Sequence, residues 1–178
     1  MSPLAASSPF AQEISGLRAR AAALMRGAPD PALTDIRALL QMLLEAELVC
    51  ARRYASLARA QIEAGHDRLG ALFLEQAEDE LRHALKLGAR IETLGGAPFT
   101  GLDDWVAGSM AVEAGRLEIV AANLLGERGV IKLYRAALRY LAGRDRDSRA
   151  LLMALLADEE RHIAGMGELV GGPAHPLH

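Results

Sequence analysis

Two short segments of the chain share the pattern Glu-x-x-His. The first runs from Glu80 to His83 and the second from Glu159 to His162, and each lies in a stretch with helical periodicity. Because residues three apart share one face of a helix, each segment offers a carboxylate and an imidazole to the same point. This ligand pair suits iron, manganese or zinc. A single such segment is weak evidence for a metal site, but two of them on apolar helix faces indicate one strongly.

Two further glutamates, Glu47 and Glu127, interrupt the apolar stripes of two other predicted helices. Ionised carboxylates are almost never fully buried unless they are paired or bind a metal. Two divalent cations would balance four negative charges, so the set favours a two-metal site over one metal or none. A buried salt-bridge network is the alternative, although the stripes supply few cations. The predicted ligands are Glu47, Glu80, His83, Glu127, Glu159 and His162.

Four long helices must position these side chains, and their apolar residues recur every three or four positions. Only Gly65 and His66 separate the first two, which predicts an antiparallel hairpin. Residues 96–110 form a long connection, anchored by Phe99 and Trp105; if it runs the length of the bundle, the second and third helices are parallel. The predicted helices span residues 32–64, 67–94, about 110–141 and about 145–171, the last capped by Asp145 or Asp147.

The two helix pairs resemble each other. A Glu-x-x-His segment begins 33 residues after Glu47 and again 32 residues after Glu127, which is consistent with duplication of a helical hairpin. Residues 1–31 are interpreted as an N-terminal arm with a possible short helix from Phe10 to Met25, packed on the bundle or on a neighbouring subunit. Residues 32–172 form the predicted bundle and 173–178 a tail.

Composition excludes several classes of protein. The chain has 178 residues, 51% of them hydrophobic and 4% aromatic, which favours an all-α domain. A net charge of −3 makes nucleic-acid binding unlikely, and the single Cys50 excludes an internal disulfide or a CxxC metal site. The sequence has neither a membrane-spanning run nor a convincing secretory signal, so we expect a cytoplasmic protein. Apolar residues off the seam suggest a subunit contact, at least a two-fold dimer: Leu48, Val49, Leu57 and Leu133.

From about residue 33 to 170 the chain resembles the ferritin-like superfamily, and bacterioferritins and mini-ferritins most closely. The segments that carry the resemblance are 43–54, 77–83, 127–134 and 158–163. A Glu from each of two helices and a Glu-x-x-His from each of the other two is the known ligand pattern of these di-iron and di-manganese proteins.

The resemblance implies a ferroxidase centre with two iron ions, or manganese in one or both positions. Glu47 and His83 would hold one ion, Glu127 and His162 the other, and Glu80 and Glu159 would bridge them. Tyr54 matches a tyrosine near the centre, and Asp79 an acidic position thought to guide iron inward. The implied reaction is oxidation of Fe²⁺ by O₂ or H₂O₂ in iron storage or detoxification.

The chain also departs from the bacterioferritin pattern. Leu81 stands where bacterioferritins carry the methionine that binds haem, so no haem is expected. There is no room after Gly171 for the fifth helix that lines a pore of the 24-subunit shell, and the N-terminal arm is longer. Two other functions stay open: a rubrerythrin-like or other di-metal oxidoreductase acting on peroxide or an organic substrate, and a non-enzymatic helical interaction module.

Overall fold

The computed structural model describes residues 8–98, 110–112 and 115–171. Within these ranges the chain forms helices joined by turns and connections, with no strand. The all-α prediction is therefore confirmed, and three of the predicted bundle helices match observed ones closely, whereas the helix predicted from about residue 110 begins at Arg116. The helices are α1 (Pro9–Gly27), α2 (Leu33–Glu63), α3 (Asp67–Thr93), α4 (Arg116–Tyr140) and α5 (Arg146–Gly171).

Short glycine turns join α2 to α3 and α4 to α5. Gly65 and Gly143 have φ values of +79° and +75°, in the left-handed region where glycine ends helices without steric cost. Asp145 Oδ1 accepts a hydrogen bond from the backbone N–H of Ser148 at 3.1 Å, which caps the N-terminus of α5. Of the two predicted capping residues, the structure selects Asp145.

Contacts at the helix ends fix the helix directions. Arg90, near the end of α3, bonds to Asp145 at the start of α5, with 2.9 Å between Nη2 and Oδ1. The connection after α3 returns to the C-terminal third of α2, where the backbone N–H of Met110 donates to Ser56 at 3.0 Å. Since α4 and α5 form a hairpin, α3 and α4 are parallel, as predicted. Phe99 and Trp105 lie outside the described residues.

The N-terminal helix α1 packs on its own bundle, against α2 and α4. Phe10, Ile14 and Ala21 are at most 1% exposed and belong to the same hydrophobic core as the other four helices. Arg20 pairs with Glu45 of α2 at 2.8 Å. Glu45 therefore faces α1, with 24% of its side chain exposed.

The subunit contact expected at Leu57 and Leu133 is not needed to explain those residues. Leu57 is fully buried and Leu133 is 2% exposed in the single chain. Both residues are buried within a single chain, in which α1 packs against α2 and α4 as a fifth helix. Leu48 and Val49 stay half-buried, packed against the core. None of the helices in the described ranges is long and apolar enough to cross a membrane.

Candidate metal centre

The four central helices bring the predicted ligands to the middle of the bundle. Glu47 lies on α2 and Glu127 on α4, while α3 and α5 each contribute one Glu-x-x-His segment. All four glutamates are fully buried; the side chain of His83 is 3% exposed and that of His162 12%. The apolar stripes that bury these residues are the ones that made the helices predictable.

Four of the side chains converge on one point. Ligand-type atoms of Glu47, Glu80, His83 and Glu159 all lie within 4.8 Å of one another. His83 Nδ1 lies 2.8 Å from Glu159 Oε1, 3.3 Å from Glu47 Oε2 and 3.6 Å from Glu80 Oε2. Three carboxylates thus surround one imidazole nitrogen.

Glu80 and Glu159 each face both histidines with different oxygens. Glu80 Oε2 faces His83, and Glu80 Oε1 lies 3.2 Å from His162 Nδ1. Glu159 Oε1 faces His83, and Glu159 Oε2 lies 3.8 Å from His162 Nδ1. The two imidazole rings are stacked with centroids 5.8 Å apart. This is the arrangement that two carboxylates need to bridge two cations, one beside each histidine.

Glu127 lies apart from the group of four. Its Oε1 accepts a hydrogen bond from the hydroxyl of Tyr54 at 2.6 Å, and its Oε2 is buried without a hydrogen-bond partner among the described residues. The described side chains therefore form one tight cluster around His83 and a looser half around His162 and Glu127.

Within the part of the chain that the structure describes, several of the converging atoms are buried near histidine nitrogens or carboxylates and still form no hydrogen bond: both carboxylate oxygens of Glu80, both of Glu159, Oε2 of Glu127 and Nδ1 of His162. Leaving a buried charged group without a partner is costly, so such atoms are rare in folded proteins. Carboxylate oxygens and imidazole nitrogens are the donors that first-row transition ions accept. The residues present therefore fit a metal centre.

The histidines stabilise the charge of Glu80 when no cation is bound. Burial opposes ionisation of Glu80, but its contacts with His162 and His83 outweigh burial and lower its pKa to about 2. Burial likewise disfavours the charged imidazoles, yet contacts with Glu159 and its neighbours raise the pKa of His83 to about 12 and that of His162 to about 10. Both imidazoles therefore hold protons that a cation would have to displace.

The pKa values of the two outer glutamates, Glu47 and Glu127, shift in the opposite direction from that of Glu80. Burial, reinforced by the charge of Glu159, raises the pKa of Glu47 well above its usual value. Burial and the charge of Glu80 do the same for Glu127. Glu47 and Glu127 thus retain protons until a cation replaces them.

An acidic side chain also faces Nε2, the second ring nitrogen, of each histidine. Asp158 Oδ2 lies 3.4 Å from Nε2 of His83, and Asp79 Oδ2 lies 3.7 Å from Nε2 of His162. Arg161 and Arg82 hydrogen-bond to Asp158 and Asp79 respectively. Sequence reasoning assigned no role to Asp158, although both segments extend to the longer pattern Asp-Glu-x-Arg-His.

Two tyrosines hold the outer glutamates in a crossed arrangement. Tyr54 on α2 donates to Glu127 on α4, and Tyr134 on α4 donates to Glu47 on α2. Burial raises the pKa of both phenols, so they stay protonated donors. Tyr134 was missed as a site residue, although it follows Glu127 by seven residues as Tyr54 follows Glu47. Cys50 is a buried free thiol.

Comparison with known proteins identifies the family. A model described as "Ferritin-like domain" matches residues 37–172. Bacterioferritin of Rhodobacter capsulatus is 32% identical over 126 residues, which cover 70% of this chain and 75% of the relative.

A solved structure points to the same relative. A 2.6 Å structure of Rhodobacter capsulatus bacterioferritin, described as having a metal-free dinuclear site and haem iron, matches with a TM-score of 0.67 and 28% identity, covering 75% of this chain and 82% of that one. With a family match over most of its length and a bundle of the same fold, the chain belongs to the ferritin-like family.

Proposed function

We propose that this protein is a di-iron ferroxidase that oxidises Fe²⁺ with O₂ or H₂O₂ in iron storage or detoxification. The observation that carries the proposal is the set of buried carboxylate oxygens between His83 and His162 that have no hydrogen-bond partner in the described ranges. Glu80 and Glu159 direct one oxygen toward each histidine, so two cations can bind side by side. Membership in a family that often has ferroxidase activity supports the same conclusion.

Each cation position has its own terminal ligands. Glu47 and His83 would hold one ion, and Glu127 and His162 the other. Because the four carboxylates carry as much negative charge as two divalent ions carry positive, the loaded centre is close to neutral. Carboxylate ligands favour the ferric over the ferrous state, which makes the bound pair a good reductant.

The reaction requires two electrons for each oxidant molecule. Two Fe²⁺ ions supply one electron each, so that O₂ with two protons becomes H₂O₂, or H₂O₂ with two protons becomes two water molecules. The chain holds the two substrate ions together and shields them with apolar residues such as Leu43 and Leu155, both fully buried. The side chains of Asp79 and Asp158, 40% and 26% exposed, place negative charge at the solvent edge, where Fe²⁺ would arrive.

We further propose a homo-oligomer, at least a dimer, since the family typically assembles into oligomers. Leu74 and Leu85 of α3 are 48% and 73% exposed. They are eleven residues apart and therefore lie on the same face of the helix. Burying such a pair against a second copy would remove apolar surface from water.

The test is to add Fe²⁺ anaerobically and then O₂, with oxygen uptake and the ferric absorbance recorded together. The proposal expects two Fe²⁺ oxidised per O₂, followed by release of ferric product so that a second addition reacts at the same rate. A Glu80→Gln variant should lose this reaction, whereas Glu78→Gln, an exposed carboxylate two residues away on α3, should keep it. Two metals retained through repeated turnover would favour a di-metal oxidoreductase instead. A protein that binds no iron would favour the non-enzymatic helical interaction module.

A further inference from the structure

Helix α1 lies before the first residue of the family match, which begins at residue 37. It packs directly against two glycines of α4. A Cβ on Gly126 would fall 2.0 Å from Cε1 of Phe10, and a Cβ on Gly129 would fall 2.6 Å from Cγ2 of Ile14. Real Cβ atoms do not approach other atoms so closely, so α4 needs glycine at both positions for α1 to pack there.

Phe10 touches the immediate neighbours of two residues of the metal centre. Its ring packs on Gly126, which precedes Glu127, and the guanidinium carbon of Arg53, which precedes Tyr54, lies 5.8 Å from the ring centroid. Arg53 is fully buried, and its Nε donates to Asn123 Oδ1 at 2.9 Å. Phe10 of α1 therefore contacts both α2 and α4, next to the two residues that form the Tyr54–Glu127 hydrogen bond.

The orientation of the Glu127 side chain depends on this Phe10 contact more than that of Glu47 does. Glu47 accepts a hydrogen bond from Tyr134 with one oxygen and contacts His83 with the other. Glu127 accepts one from Tyr54, while its second oxygen is buried without a partner in the described part of the chain. Its direction is therefore set by the position of the α4 backbone, which rests on Phe10.

We propose that Phe10 of α1 is a positioning residue for Glu127, so that docking of α1 on Gly126 is required for the second metal ion to bind. The first position, formed by Glu47, Glu80, His83 and Glu159, lies within one tight cluster and does not require it. This inference rests on the proposed two-metal function, and it assigns the added helix a role in completing the centre.

The test is an anaerobic titration of the full chain with Co²⁺, which reports the number of bound ions by its visible absorption. The wild-type chain should bind two Co²⁺. Phe10→Ala should keep the first ion and weaken the second by roughly 10-fold to 100-fold, the range found for changes in groups that support metal ligands. The matched control is Leu17→Ala, which removes a buried α1 side chain about 10 Å further along the helix.

A merely structural role for Phe10 would not separate the two ions. If Phe10→Ala binds two Co²⁺ with wild-type affinity, or if Leu17→Ala loses the second ion equally, the inference fails. If the wild-type chain itself binds no Co²⁺, the proposed function fails first, so the two failures are distinguishable.

A second pair of variants covers the case in which Phe10→Ala unfolds. Gly126→Ala should also weaken the second Co²⁺, because the new methyl group collides with the Phe10 ring. Combined with Phe10→Ala, the same methyl enters the vacated space, and the double variant should recover part of the second-site affinity. Additive losses in the double variant, or a Gly126→Ala variant that binds both ions normally, would overturn the inference.

Discussion

Asp158 of α5 lies 3.4 Å from Nε2 of His83 on α3, so the aspartate of one helix supports the histidine of the opposite helix. Asp79 and His162 repeat the relationship in the other direction. A carboxylate behind a metal-binding histidine fixes the ring orientation and tautomer, and leaves Nδ1 free to coordinate. The two Asp-Glu-x-Arg-His segments thus supply both the ligands and their supports.

Asp158→Asn should weaken metal binding roughly 10-fold to 100-fold, because the amide cannot stabilise the His83 ring as a carboxylate does. The change should affect mainly the ion beside His83, and Asp79→Asn mainly the ion beside His162. Co²⁺ titration measures both affinities. Glu160→Gln, an exposed carboxylate paired with Arg135, is the control. Wild-type affinity in both aspartate variants would refute a supporting role.

Tyr134→Phe should destabilise the metal-free protein by about 1 to 3 kcal/mol, because it leaves a buried oxygen of Glu47 without its donor. Tyr140→Phe removes a hydroxyl bonded to a backbone carbonyl at a half-buried site and should cost less. Urea unfolding in the presence of a chelator measures both. Equal costs for the two variants would indicate that the Tyr134–Glu47 bond has no special importance.

The metal-free protein should lose stability as pH rises above neutrality. The folded-state pKa values of His83 and His162, about 12 and 10, exceed the unfolded value of about 6.5, so folding binds protons more tightly. Their contribution is complete below pH 6.5 and is lost as pH rises toward 10 and 12, on the order of 1 to 3 kcal/mol per pH unit. Raised pKa values of Glu47 and Glu127 act in the same direction.

Urea unfolding at pH 6.5, 7.5 and 8.5, with and without Co²⁺, tests this linkage. With metal present the slope should reverse, because the ion binds the deprotonated ligands more tightly as pH rises. A metal-free stability that is flat or rises over this range would contradict the assigned proton positions.

The packing of α1 on the glycines of α4 leads to a further prediction about stability. Gly129→Ala should destabilise the fold by about 1 to 3 kcal/mol, since its methyl group would meet Ile14 at 2.6 Å. Gly16→Ala, on the open side of α1, meets nothing within 4 Å and should stabilise it by about 0.5 to 1 kcal/mol. Thermal unfolding compares them, and a neutral Gly129→Ala would mean that α1 is not held where the structure has it.

Much of the bundle could be predicted because the sequence pattern within each helix is enough to identify that helix and its buried face. Apolar spacing defines the four long helices, and a glutamate that interrupts such a stripe must be buried with its neighbours. The repeat of Glu-x-x-His made Glu80, His83, Glu159 and His162 recognisable as a set. The turn between the first two bundle helices followed from Gly65 and His66, the two residues that separate them.

Contacts between distant segments could not be read in the same way. Nothing local to Phe10 reveals that its partners are Gly126 and Arg53, so the arm was left with two possible packing sites. Asp158 shares a helix with exposed charges, and its role depends on His83 across the bundle. Tyr134 looks like an ordinary apolar-stripe residue until Glu47 is placed opposite its hydroxyl.

The most direct measurement is anomalous X-ray diffraction from crystals grown with Fe²⁺ or Mn²⁺ under anaerobic conditions. The account predicts two anomalous peaks per chain about 3.5 to 4 Å apart, flanked by Glu80 and Glu159, one beside His83 and one beside His162. A crystal with the protein well ordered and no peak between these carboxylates would contradict the account, and a single peak would contradict its two-metal form.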